Sequence, residues 1–281
     1  MPKRYSRVLA SIIRHLLAFL VAFLFLSPFV WVLLTSLKPR QEIYSYPLTI
    51  IPRVVSLEHY RHVLLQMPGF ARYFQNSVVV TVITVLIVTA LSALGGYALG
   101  RLRFRGQRWF MVFVLVSISV PYAIYLIPIF IMSSRLELLN TNLGLILPYV
   151  AFNLPMALFI MRGSFRVIPS ELEDAARIDG CNEFQLWWQV MLPIARSGLA
   201  TVVIFTFIFV WQEFLFAVTL MPDADFQTLP VGIVHLRDEA QAWAYGTLST
   251  TIVLALIHIL VVFILMRRFL IEGIIEGALK G

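Results

Sequence analysis

Apolar runs dominate the chain and come at intervals. An uncharged apolar run of about 18 or more residues is long enough to cross a bilayer as a helix. Residues 16–37, 78–99, 109–134, 142–161 and 246–266 meet that length without an Asp, Glu, Lys or Arg. A sixth run, 198–220, is interrupted by one acid, Glu213. The first run is long for a signal peptide and no small-residue cleavage site follows it, so it is expected to stay in place as a helix. The pattern predicts an all-α, polytopic membrane protein with six transmembrane helices.

Two kinds of residue mark these helices as imperfect. Pro121 and Pro128 fall in the third run, and Pro148 and Pro155 in the fourth. Each proline removes a backbone donor, and the carbonyl it frees needs a partner in a neighbouring helix or a wet cavity. The second run ends in Gly95, Gly96 and Gly100, where Gly96 and Gly100 have the small-xxx-small spacing of closely approaching helices. Packing alone accounts for these residues as well as a functional role does.

Composition narrows the class. Hydrophobic residues make up 60% of the 281 and charged residues 13%, against about 45–50% and about 25% in soluble domains. A soluble enzyme is excluded by that balance. The net charge of +7 sits in short clusters beside the apolar runs, which argues against a nucleic-acid partner and for a lipid bilayer. Cys181 is the single cysteine, so neither an internal disulfide nor a Cys-rich metal site is available. Cations concentrate in the N-terminal arm, the connections after the second and fourth runs, and the tail, which together hold 15 of the 22 Lys and Arg. The positive-inside rule then puts both termini in the cytoplasm.

The connection 162–196 carries the most information. Ser170 with Glu173 predicts a capping box, and Glu171, Glu173 and Asp174 crowd a first turn where the helix dipole favours anions. This helix should run to about Asp179 and stop at Gly180, which can take the left-handed cap conformation. A larger side chain at 180 is expected both to strain that cap and to crowd the junction. A second short helix should start with Asn182 as its N-cap and be closed by Pro193. Phe184, Trp187, Trp188 and Met191 fall at i, i+3, i+4 and i+7, one apolar face. Such a stripe can lie on the membrane surface, pack under the bundle, or serve as a knob for a groove in a soluble partner.

Asp174-Ala175-Ala176, three residues, Gly180, nine more, and Val190-Met191-Leu192-Pro193 resembles the EAA loop of binding-protein-dependent ABC importer permeases. Asp174 stands where that pattern has Glu, and Val190 where it has Ile; both changes keep charge or shape. Asn153-Leu154-Pro155, Trp211-Gln212-Glu213-Phe214, Thr228-Leu229-Pro230-Val231-Gly232 and the ending Gly277-Ala278-Leu279-Lys280-Gly281 look like the carbohydrate-uptake subgroup, and within it the smaller six-span subunit of the maltose type.

The resemblance implies the type I ABC importer fold. It implies an N-terminal arm, first helix and outer connection over 1–69, a transmembrane module over 70–266 with its EAA loop at about 169–193, and a cytoplasmic tail over 267–281. It also implies a multi-pass subunit of a bacterial or archaeal inner membrane. The partners implied are a second permease subunit, two ATPase subunits and an extracytoplasmic solute-binding protein, with a carbohydrate as substrate. Glu173, Asp174, Ala175, Ala176, Asp179, Gly180, Phe184, Trp187, Leu192 and Pro193 are then the coupling residues. Gly277, Lys280 and Gly281 are the tail contact with the ATPase.

The chain is not expected to be an enzyme. It has no phosphate-cradling Gly-x4-Gly-Lys-Ser/Thr loop, so ATP and Mg are expected on the partner ATPase, with no cofactor or metal in this chain. Asn153, Trp211, Gln212, Glu213 and His258 are the candidate translocation pathway. A charged group at mid-bilayer costs about 2.5–3.5 kcal/mol on insertion scales, so Glu213 should either face a wet cavity or be clamped by another helix. Aromatic faces beside an amide and a carboxylate suit a sugar, but also an interfacial belt. The alternative from another class is a secondary transporter driven by an ion gradient, which needs inverted repeats and coupling acids. Glu213 is the one acid the runs supply.

Overall fold

The computed structural model of the protein describes residues 2–239 and 244–278, with side chains described at 11–67, 69–234 and 245–266. Lys280 and Gly281, expected to make the tail contact, lie outside the described residues, and Gly277 is described in backbone only. The described residues form helices and turns without a strand. The main helices are α1 (Pro2–Ser36), α2 (Pro68–Arg101), α3 (Gln107–Ser119), α4 (Leu126–Arg135), α5 (Asn142–Arg166) and α6 (Glu171–Ile178). They continue with α7 (Arg196–Gln212), α8 (Leu215–Leu220), α9 (Leu229–Glu239) and α10 (Ala244–Ala278).

Among the described residues, four helices are long and apolar enough to cross a membrane, or six if each of two bent helix pairs counts as one span. The third run is not a continuous helix. It bends by 91° between Gln107–Ser119 and Tyr122–Arg135, because Pro121 offers no N–H to the last turn of α3 and Val120 is extended (φ −85°, ψ 123°). The prolines of the fourth run act differently, since α5 passes through Pro148 and Pro155 unbroken. The fifth run breaks at Glu213, where ψ is 129°, and resumes two residues later as α8.

The chain divides into two compact units. One comprises the residues through Pro68 with His235–Ile257; the other comprises Gly69–Val234 with the residues from His258 onward. In the first unit, polar bonds fold the connection after α1 into a compact turn. Lys38 donates to the Thr49 carbonyl and stands over the Trp31 ring, 5.1 Å from its centroid. Glu42 accepts from the Thr49 hydroxyl (2.8 Å) and the Arg53 N–H (2.9 Å). The Arg53 N–H leads the interactions that hold the Glu42 carboxyl below its ordinary value. His59 is fully buried, and that burial lowers its pKa.

In the second unit, α2 and α5 approach closely enough to need glycine. A Cβ on Gly96 would sit 2.4 Å from the Met161 Cβ and 3.0 Å from the Arg162 nitrogen. That is the small-residue contact the spacing predicts. Below it, Tyr97 meets Phe165 edge-on at 5.5 Å. Val88, Tyr97, Ala157, Met161 and Phe165 share a core with Ala176, Leu186 and Met191 of the 162–196 connection. The connection is therefore packed into the helix bundle and is not a free linker.

Gly96→Ala is expected to lower the melting temperature of the purified chain, with an overpacking cost of about 1–3 kcal/mol. Gly163, on the same helix pair but with open space around its missing Cβ, is the control. Gly163→Ala should hold or raise the melting temperature, through a helix-propensity gain of up to about 1 kcal/mol.

Candidate functional site

The EAA-like loop is built from two capped pieces. Pro169 leads into α6, whose first turn holds Glu171, Glu173 and Asp174. The expected capping box is absent. Ser170 has helical dihedrals (φ −66°, ψ −25°) and its side chain caps nothing. The carboxylate that was to complete the box is used elsewhere: Glu173 pairs with Arg101 at the end of α2, 2.9 Å away, with both side chains nearly buried. Arg101 also donates to the Ile168 carbonyl. A partly buried ion pair with added hydrogen bonds outcompetes a surface cap.

The far end of α6 matches expectation. Gly180 has φ +86°, its N–H bonds the Arg177 carbonyl (3.1 Å), and the Cys181 N–H reaches back to Ala176 (3.0 Å). This double bond pattern is a Schellman cap. The expected crowding at 180 is not found, because a Cβ there would meet nothing within 4 Å. The constraint is the left-handed dihedral alone.

Asn182 caps the second piece with a complete box. Its Oδ1 accepts from the Gln185 N–H, and the Gln185 Oε1 accepts from the Asn182 N–H, both at 2.9 Å. The predicted single apolar face does not form. Residues Leu186–Met191 make a π turn, so Leu186 and Met191, five apart, are the fully buried pair. Phe184 and Trp188 are 66% and 55% exposed, bridged by Trp187, whose ring lies 5.6 and 5.7 Å from theirs. Pro193 does not close the piece either. The helix runs on to Ile194 and then bends by 74° into α7. The loop thus presents Ile178, Phe184 and Trp188 beside Asp174, Asp179 and Glu183, while Ala176, Leu186 and Met191 root it in the core.

The intramembrane candidates fall into three groups. Glu213 is 4% exposed. Its Oε2 accepts from the Tyr149 hydroxyl (2.5 Å) and the Ala217 N–H (3.1 Å), and its Oε1 from the Phe216 N–H (2.9 Å). The side chain therefore caps α8 and ties it to α5. Asn153 lies one turn along the same helix and donates to the Tyr149 carbonyl at 2.8 Å. Trp211 and His258 stack 5.4 Å apart, with Phe74 between 4.4 and 5.9 Å from both. Gln212 is turned outward and exposed. Adjacent residues on a helix differ by about 100°, and Trp211 and Gln212 divide accordingly into buried and exposed. Sequence reasoning missed Arg101 and Tyr149. Arg101 was one more cation beside a span, and Tyr149 one more aromatic in an apolar run. A hydroxyl beside Pro148, able to meet a lone acid in a facing helix, was the available signal.

The family model for the binding-protein-dependent transport system inner membrane component matches residues 92–274. The chain belongs to this permease family. Among its relatives is the diacetylchitobiose uptake system permease protein NgcG of Streptomyces coelicolor, 34% identical, with 95% of this chain and 88% of the relative covered. The arabinooligosaccharides transport system permease protein AraQ of Halalkalibacterium halodurans is 30% identical with full coverage of both. The fold matches a chain in the crystal structure of a bacterial ABC transporter involved in the import of the acidic polysaccharide alginate. The TM-score is 0.82 at 24% identity, over 94% of this chain and 97% of that one. The EAA-like loop, Tyr149 and Glu213 of this permease all lie inside the matched residues. Among the described residues, no His, Cys, Asp and Glu side chains group in a way that holds a metal ion.

Two pairs of variants test the construction. Glu213→Ala should lower the melting temperature, because the buried Tyr149 hydroxyl and two N–H groups lose their acceptor at about 1–3 kcal/mol, whereas Gln212→Ala should leave melting unchanged. Gly180→Leu should remain in the membrane yet lose transport, as a left-handed non-glycine residue costs about 1–2 kcal/mol. Gly180→Asn, which tolerates that dihedral, should retain most uptake.

Proposed function

We propose that this chain is one of two permease subunits of an ATP-driven importer that takes up a carbohydrate, an oligosaccharide or a disaccharide of the maltose or trehalose class. The observation that carries the reading is the EAA-like loop: a doubly capped knob with exposed apolar tips and a root in the core of the helix bundle. A rigid amphipathic knob suits a groove on a soluble partner, and a root in α2 and α5 lets the groove's movement reach the spans. Glu173, Asp174, Ala175, Ala176, Asp179, Gly180, Phe184, Trp187, Leu192 and Pro193 are the coupling elements in this reading. Phe184 and Trp188 make the contact, and Glu173 holds the knob to α2 through Arg101.

The partners are a second permease, two ATPase subunits that bind ATP and Mg, and an extracytoplasmic binding protein that delivers the sugar. The chain sits in the inner membrane with both termini in the cytoplasm, as the cation distribution favours. The tail residues Gly277, Lys280 and Gly281 reach the ATPase. Relatives whose names specify diacetylchitobiose, arabinooligosaccharides and trehalose support a sugar cargo. Trp211, His258, Asn153 and Gln212 are the groups nearest a sugar path, with Gln212 the exposed one, and Glu213 sets the frame around them.

The test is co-purification of the membrane complex, followed by ATP hydrolysis with a panel of mono-, di- and oligosaccharides loaded on the binding protein. One or a few sugars should stimulate hydrolysis, and Trp188→Ala should weaken the ATPase's hold on the permease. A complex that forms without the loop's apolar tips, or hydrolysis indifferent to every sugar while another solute stimulates it, would overturn the coupling or the cargo respectively.

A further inference from the structure

The break after Gln212 divides one membrane run between two helices with different attachments. Between α7 and α8 the chain is extended at Glu213 and irregular at Phe214 (φ −120°, ψ −40°). No helical hydrogen-bond ladder crosses these two residues intact. α8, by contrast, is bolted to α5 and its lead-in at both ends. At its start, the Glu213 carboxylate binds the Phe216 and Ala217 N–H groups and takes the Tyr149 hydroxyl of α5. At its end, the Leu220 carbonyl accepts from the Asn140 N–H (3.0 Å), and Asn140 Oδ1 accepts from the Asp223 N–H (3.0 Å). Asn140 lies two residues before α5, whose N-cap is Thr141. Between these ties Phe216, Ala217 and Leu220 are fully buried in a core shared with Leu145, Ile146 and Tyr149 of α5 and with Val210 of α7, so it is the polar ties that set α5 apart as the partner of α8.

We infer that α8 belongs mechanically to α5 and not to α7: Tyr149 and Glu213 are positioning residues that make the far end of the fifth run travel with the fourth, with the hinge at Glu213–Phe214. The inference rests on the reading of the chain as an importer permease. It extends that reading, because α5 continues at its other end, through Arg166 and Ile168, into the EAA-like loop. A displacement of the loop then reaches α8 along one continuous helix, with the Glu213–Phe214 break as its joint to α7. The bond from the Tyr149 hydroxyl is the sensitive part. It is a hydrogen bond to a charged acceptor at low exposure, the strong class of such bonds, and it joins two helices without contributing to either helix's own ladder.

Tyr149→Phe isolates that bond, since it keeps the ring and leaves the Glu213 capping of α8 in place. The experiment uses the full complex in lipid nanodiscs, in a Cys181→Ser background, with spin labels at the exposed positions Val218 on α8, Leu143 on α5 and Phe205 on α7. Between nucleotide-free and ATP-bound states of the otherwise unaltered complex, the 218–143 distance should hold while the 218–205 distance changes. In Tyr149→Phe the 218–143 distance should broaden and begin to follow the nucleotide. Sugar-stimulated hydrolysis should fall on the order of tenfold, the scale of one charge-assisted hydrogen bond, with basal hydrolysis retained. Melting should fall modestly, as loss of a donor to a buried carboxylate requires, so the distances carry the test: a purely structural role would lower melting and leave the 218–143 distance narrow in both nucleotide states.

An unaltered complex in which 218–205 holds while 218–143 changes, or in which neither distance responds to ATP, overturns the inference. So does a Tyr149→Phe complex with normal distances and normal stimulation. Failure of any ATPase to assemble with the chain is a separate result. It removes the permease reading itself, and the inference with it.

Discussion

A helix in an apolar medium can be interrupted only where something else takes over its hydrogen bonds. That constraint explains more of this structure than any single contact does. At Pro121 the chain turns by 91° because a donor is missing, and the aromatic side chains of Tyr122, Phe152, Phe209 and Phe216 close around the bend, their ring centres 5.0–5.8 Å apart. At Glu213 the break is made without proline, and a carboxylate supplies the acceptors that the first turn of α8 lacks. At Gly180 the break is a Schellman cap, where backbone satisfies backbone. Three interruptions thus have three chemistries, ordered from apolar filling through an acid to the main chain itself.

Glu213, buried, and Glu173, nearly so, show how the same side chain is used in opposite ways. Glu173 is neutralised by a cation, Arg101, and the pair fixes the loop to the end of α2. Glu213 has neutral partners, a phenol and two amides, and fixes one helix segment to another. An isolated charge in an apolar interior is far more costly than one that is paired or hydrogen-bonded, and each arrangement meets that cost differently. Pairing makes a strut between loop and span. Hydrogen bonding makes a buckle inside the bundle.

What could be read from residues alone followed from periodicity and local dihedral demand. The apolar runs marked the helices, Gly180 the left-handed cap, Asn182 an N-cap, and Gly96 the close helix approach, because each is a local necessity. Ser170 was misread because a capping box is a local optimum that loses to a long-range partner, and Arg101 is 72 residues from Glu173. The stripe of Phe184, Trp187, Trp188 and Met191 was misread because it assumed 3.6 residues per turn, and the chain there winds wider. The site was legible in its loop and largely illegible in its membrane portion. Nothing local announces the partner of Glu213: Tyr149, 64 positions away, supplies it.

The wider winding at Leu186–Met191 carries a consequence for length. A π turn holds one residue more than the α-helical turn it replaces, so it works as a phase shifter set between the tips of the knob and its root. Removing that residue would rotate everything downstream by about 100° relative to everything upstream. Phe184 and Trp188 could then face outward only if Met191 left the core. The spacing from Gly180 to Pro193 therefore behaves as a fixed gauge: substitutions along it are graded in effect, whereas an insertion or deletion of one residue changes which side of the loop is inside.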